Sequence, residues 1–147
     1  MASNTVLRTG FESLKMAAQS GVDVRVMIPC KPDHIFVYWA TYSYVGELLR
    51  SGGRVFIYDD GFLHAKTLVV DGEVGTVGST NFDNRSFKLN FETNAFIYDR
   101  EFAKKMEDTF QNDLINHGHE LTYEAYLKRG VIIKFKEAFS RLLSDIL

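Results

Sequence analysis

The chain has one cysteine, Cys30, so no internal disulfide is available and the fold has to rest on burial of apolar surface. A lone cysteine fits a reducing compartment, or simply a thiol of no consequence. There are two prolines, Pro29 and Pro32, and no proline-rich, low-complexity or repeated tract that would read as a linker or an array. Charge of neither sign dominates. The 19 acidic and 17 basic residues leave a formal charge of −2, which excludes a bulk electrostatic pull on nucleic acid. No apolar run reaches the roughly eighteen residues of a spanning helix, and the N-terminus lacks the layout of a signal peptide. What remains is 147 residues that are 46% hydrophobic, enough for one domain over 1–147 with a real core. Aromatic side chains crowd one stretch, with Phe36, Tyr38, Trp39, Tyr42 and Tyr44 inside nine positions.

Periodicity orders the elements. Phe11, Leu14 and Ala18 recur at helical spacing, predicting a helix over 9–20 that Gly21 ends. Val24, Val26 and Ile28 alternate with Asp23, Arg25 and Met27 up to Pro29, the pattern of a strand. Asp33 is placed to cap a helix that runs to Arg50 and closes at Gly52 and Gly53. A short strand follows at Val55–Tyr58. His64–Val70 and Val74–Ser79 flank an Asp-Gly turn and predict a hairpin, and Phe91–Tyr98 predicts a further strand. Asp99 caps a helix whose Phe102, Met106, Phe110 and Leu114 recur at i+4, and two more helices are expected over 122–129 and 131–145. Mixed helices and strands around a hairpin imply an α/β fold, layered α/β/α, with a central mixed sheet.

Side chains of a strand alternate faces, so His64, Lys66, Leu68 and Val70 share one face of the first hairpin strand. If Asp71-Gly72 is the loop, Ser79 falls opposite His64. If Gly72-Glu73 is the loop, Ser79 falls opposite Lys66 and Asn81 opposite His64. Both registers put Ser79 beside the His/Lys pair. A nucleophile or base, a cation, a hydroxyl and an amide at one sheet end suit a tetrahedral anion. Glu92 and Asn94 share a face of the next strand, and a carboxylate there would fix the imidazole tautomer and balance charge on the ring. Lys66 would hold phosphoryl oxygens and Asn81 would donate another hydrogen bond. One histidine without a carboxylate cluster at ligand spacing gives no reason for a zinc or two-metal site, and no cofactor is expected.

His64-Ala-Lys66, then Asp71, then Gly78-Ser79-Thr80-Asn81, with Glu92 eleven residues further on, resembles the HxKxxxxD…GSxN signature of the phospholipase D superfamily. Gly61–Lys66, the run Asn81-Phe82-Asp83-Asn84-Arg85-Ser86-Phe87 and Asn90–Asn94 resemble bacterial cardiolipin synthases in particular. So do Pro32-Asp33-His34, Tyr38-Trp39-Ala40 and Ser140–Leu143. The resemblance covers roughly 10–147 and is to the C-terminal half of such an enzyme. It implies a half-domain of the phospholipase D type, with His64, Lys66, Asp71, Asn81 and Glu92 catalytic and Lys66, Ser79 and Asn81 on the phosphate. It implies a phosphatidyl transfer between two phosphatidylglycerol molecules through a phosphohistidine, releasing glycerol, at the bacterial cell membrane. Such enzymes carry two motifs and this chain has one. The implied partner is therefore the missing N-terminal half or a second copy of the chain. The rival reading is a one-motif phosphodiesterase or nuclease acting as a homodimer; a nuclease should show a basic groove, and the slightly acidic charge and lack of a Lys/Arg run disfavour it.

Blander roles compete at several positions. Asp71 faces away from His64 by alternation, and turn chemistry alone accounts for it. Arg85 and Lys88 read equally as phosphate-side charge or solvated loop. The aromatic stretch over 36–44 reads first as a helix packed on the sheet, ahead of a lipid-holding surface. Ile132, Phe135, Phe139, Leu142, Leu143 and Ile146 predict a buried stripe on the last helix, with Lys134, Lys136 and Arg141 leaving membrane-surface binding open. His117 and His119 are expected in a solvated loop, and His34 at a helix N-terminus.

Overall fold

Along Arg54–Tyr58 three consecutive residues, Val55, Phe56 and Ile57, are buried, the mark of a strand closed in on both faces. In the computed structural model, which describes residues 5–31, 35–81 and 90–143, this strand is β2 of a sheet ordered β1-β2-β6. β1 (Arg25–Pro29) pairs with it in parallel, and β6 (Gly118–Leu121) pairs antiparallel. Val55 and Ile57 point one way, into a cluster with Phe11, Val24, Tyr42 and Leu48. That face is covered by α1 (Thr5–Gln19) and α2 (Ile35–Arg50). Phe56 points the other way and is also buried. α3 (Arg100–Asn116) lies on that side, where its Glu107 acts on Arg25. The α/β/α layering follows from these two faces.

The second sheet is antiparallel, in the order β3 (Thr67–Val70), β4 (Val74–Gly78), β5 (Asn94–Ile97). Hydrogen bonding thus divides the expected central sheet in two, and α3 packs on strands of both. It sits close on β4 because Gly75 has no side chain: a Cβ there would lie 2.7 Å from Met106 Sδ and 2.9 Å from the Phe102 ring. α3 starts as its sequence predicts, with the Asp99 carboxylate accepting from the Phe102 amide at 2.7 Å.

Neither expected hairpin register forms. Thr67 pairs with Val77 and Val70 with Val74, one residue away from each alternative. Asp71 and Gly72 both have positive φ, 53° and 63°, and the Glu73 amide donates to the Val70 carbonyl at 3.0 Å. Glu73 is the extra residue, a bulge on the β4 side of the turn. A one-residue slip changes which residues share a face within the ladder, and His64, Lys66 and Ser79 all lie outside it. The strand also starts later than expected, since His64, Ala65 and Lys66 precede β3.

Two further readings are corrected. Residues 118–121 form a strand where a loop is expected. The last helix, α5 (Val131–Leu143), buries Glu137 and Ser140, at 3% and 1% exposure, while Phe135 and Phe139 stand 74% and 51% exposed. The reason is an anchor on α4 (Tyr123–Leu127) and the turn after it. Arg129 grips both carboxylate oxygens of Glu137 and lies 3.7 Å from the Tyr126 ring. Of the expected stripe, Phe135 and Phe139 therefore stand outside while Glu137 is held inside; the side chains of Ile132, Leu142, Leu143 and Ile146 lie outside the described residues. The expected roles of Asp33, His34, Arg85 and Lys88 fall outside the described residues.

Candidate active site

The Gly78-Ser79-Thr80-Asn81 segment leaves β4 just where the chain entering β5 runs alongside it. Gly78 is required there by contact, since a Cβ would meet Asn94 Oδ1 at 1.8 Å and the Thr93 carbonyl at 2.3 Å. With the backbones that close, a polar lattice closes between the two segments. The Ser79 amide donates to the Thr93 carbonyl at 3.0 Å, and the Thr93 amide donates to Ser79 Oγ at 3.1 Å. The Ser79 hydroxyl donates in turn to the Glu92 carboxylate, whose other oxygen accepts from Asn90 Nδ2 at 3.1 Å. Asn94 Nδ2 donates to Thr80 Oγ1 at 2.8 Å, and Asn94 Oδ1 accepts from the Thr80 amide at 3.4 Å. Glu92 reaches this lattice from two residues before β5, not from within a strand as expected.

His64 stands on the opposing approach. Its exposed imidazole stacks on Phe62 with ring centroids 5.2 Å apart and planes 21° from parallel. Lys66 Nζ donates to the His64 carbonyl at 2.9 Å, and the Lys66 carbonyl accepts from the Gly78 amide at 3.3 Å. That last bond ties the His-x-Lys segment to the start of the Gly-Ser-x-Asn segment. Among the described residues, His64 and Glu92 share no hydrogen bond, while Ser79 and Glu92 do. Asn81 is half-buried directly beyond Thr80. Asp71 lies at the far end of the hairpin, in the turn.

Sequence reasoning misses two features nearby. Asn90 and Thr80 take part in the lattice, a role their neighbours' spacing does not signal. His117 and His119, expected to be solvated, pair with the two acids that follow β2: His117 Nδ1 with Asp60, and His119 Nδ1 with Asp59 at 2.6 Å. The Asp59 amide also donates to the His117 carbonyl at 2.7 Å, so β6 holds the segment that leads from β2 to His64.

Residues 5–114 match the family described as cardiolipin synthase, PLD-like domain. The chain is 62% identical over 136 residues to a cardiolipin synthase of Listeria monocytogenes serotype 4a, covering 92% of this chain and 28% of that protein. It is 58% identical to the major cardiolipin synthase ClsA of Bacillus subtilis, again over 92% of this chain and 28% of the relative. The chain therefore spans little more than a quarter of the curated relatives it matches. Among solved structures, the fold is similar to Nuc of Salmonella typhimurium, a phospholipase D family member. That match has a TM-score of 0.65 and 23% identity over 76% of this chain and 72% of that one. It is also similar to phosphatidylserine synthase of Haemophilus influenzae, with a TM-score of 0.72 and 16% identity over 95% and 39%. No helix of the described residues is long and apolar enough to cross a membrane. With the family matching about three quarters of its length and the His-x-Lys and Gly-Ser-x-Asn segments joined through Lys66 and Gly78, this chain belongs to the cardiolipin synthase, PLD-like domain family.

Proposed function

We propose that this domain supplies the nucleophilic half of a phosphatidyltransferase acting at the bacterial membrane. That enzyme makes cardiolipin and glycerol from two molecules of phosphatidylglycerol. The observation that carries the reading is the 62% identity to cardiolipin synthases across 92% of this chain, site segments included. In the first step a ring nitrogen of His64 attacks phosphorus, a P–N bond forms, and the glycerol headgroup oxygen leaves with a proton from an acid on the facing half. In the second step a headgroup hydroxyl of another phosphatidylglycerol loses a proton and attacks phosphorus, and the P–N bond breaks. Lys66 and Asn81 hold non-bridging oxygens, while Ser79, whose hydroxyl proton goes to Glu92, positions that carboxylate instead of binding the phosphate. Glu92, held by Ser79 and Asn90, balances the ring as it turns cationic. Asp71 keeps the hairpin turn. The facing half is the rest of the parent protein, or a second copy of this chain.

Incubation of the parent enzyme with phosphatidylglycerol, followed by mass spectrometry under non-acidic conditions, should find an acid-labile phosphatidyl adduct on His64. His64→Ala should remove the adduct and lower transfer by several orders of magnitude. Cleavage of DNA in place of lipid, or retention of more than roughly a tenth of the activity by the variant, overturns the reading.

A further inference from the structure

A cavity of about 370 Å³ opens beyond the carboxyl ends of β1 and β2, the end of a parallel pair where ligands bind. Among the described residues its wall is built mainly from Tyr38, Trp39, Tyr42, Ile57, Leu121 and Ile133. Two charged groups also reach it, and each is already matched. Asp59 pairs with His119 at 2.6 Å, and Arg129 is gripped by Glu137 and stacked over Tyr126 and Tyr42. Burial pushes the Tyr42 phenol well above its ordinary range, so this ring stays neutral. An anion entering here would find no unpaired cation among these groups, whereas an apolar chain would meet aromatic and aliphatic surface on most sides. Two contacts lead from the cavity wall to the site. Cys30, on its wall, lies 3.8 Å from the Gly61 carbonyl, and the next residue, Phe62, stacks on His64.

We infer that this cavity holds part of an acyl chain of the phospholipid whose phosphate is presented to His64. The inference rests on the lipid substrate proposed above and adds where the tail goes. It also gives Tyr38 and Trp39 a binding role beyond packing a helix on the sheet. Remote apolar contact of this kind would orient the phosphate by anchoring the unreactive end of the substrate.

The chain has one tryptophan, Trp39, so its fluorescence reports this cavity alone. A short-chain phosphatidylglycerol brominated on its tails, used below its micelle-forming concentration, should quench Trp39 saturably. The unbrominated lipid should relieve the quenching, and glycerophosphoglycerol, the headgroup alone, should not. Ala125→Phe, which projects a ring into the cavity, should raise the half-quenching concentration roughly tenfold. Ile133→Phe provides a second filled cavity should the first variant melt early. His64→Ala should leave quenching of this chain unchanged while removing transfer in the parent enzyme. Loss of the function reading and loss of this one are thereby separable: transfer can fail with quenching intact, or quenching with transfer intact. No saturable quenching, relief by the headgroup, or equal quenching in a folded filled variant overturns the assignment.

Discussion

The Ser79 hydroxyl donates to the Glu92 carboxylate while accepting from the Thr93 amide at 3.1 Å. One side chain thus fixes a carboxylate and closes a backbone gap between β4 and the approach to β5. Ser79→Ala removes both bonds. A hydrogen bond to a charged group is worth about 1.5–3 kcal/mol, so kcat of the parent enzyme should fall roughly 10- to 150-fold. A positioning role also predicts that Ser79→Thr, which keeps the hydroxyl, restores most of the rate with KM little changed. A rate loss matched by a large drop in thermal midpoint would make Ser79 structural instead.

Asp71 illustrates what the signature alone does not decide. Its φ of 53° lies in the left-handed region, which asparagine and glycine adopt readily and β-branched residues resist. Asp71→Asn should therefore keep the fold and most activity. Asp71→Val should lower stability by about 1–3 kcal/mol, read as an earlier denaturant midpoint. If Asp71→Asn is as inactive as His64→Ala in a folded protein, the carboxylate itself takes part in the chemistry.

The same turn shows where sequence reading stops. Asp-Gly announces a hairpin correctly, and the helix capped by Asp99 stands where its periodicity puts it. Register is different, because it hangs on whether Glu73 is in the ladder, and one residue reverses every face. The sequence pairs Ser79 with His64 or Lys66. The structure joins Ser79 to Glu92 through a close backbone approach at Gly78, a tertiary relationship with no local signal. The last helix is a second instance. Its apolar stripe predicts burial of Phe135 and Phe139, yet both are exposed and the buried side chain between them is Glu137, held by Arg129 eight residues away.

Acid should weaken the first sheet in a definite direction. Arg25 and Arg54 sit opposite one another in β1 and β2, like charges that each need a carboxylate. Arg25 binds Asp23 at 2.9 Å and Arg54 binds Glu120 at 2.8 Å; these hydrogen bonds hold both acids below the usual carboxylate range. A depressed folded-state pKa gives stability that is present above the ordinary value and lost as pH falls through the folded one. The thermal midpoint should thus be flat near neutrality and decline below about pH 4. Both pairs face solvent, so screening limits each to about 0.2–1 kcal/mol. Asp23→Asn with Glu120→Gln should lower stability at pH 7 and flatten this part of the decline. An unchanged acid profile in that double variant would show that other groups drive it.

What the chain does alone follows from the geometry of displacement at phosphorus. The attacking and leaving atoms lie in line on opposite sides of phosphorus, so nucleophile and acid cannot be the same imidazole at once. In the proposed reaction His64 fills one position, and the other would come from a facing body. The second sheet offers a surface for one. α3 covers the face that carries Gly75, while Leu68, Val70 and Phe96, on the other face, are exposed, with Lys66 two residues before Leu68. An apolar face of that kind beside the site favours association. Two copies meeting across a two-fold axis with their His64 sides opposed would complete both sites together. Phosphatidyl transfer by this chain should therefore be negligible at concentrations where it sediments as a monomer, and specific activity should rise as the dimer populates. Leu68→Lys with Phe96→Lys should shift both curves to higher concentration together. Full specific activity from a sedimenting monomer would show that one His-x-Lys segment is enough.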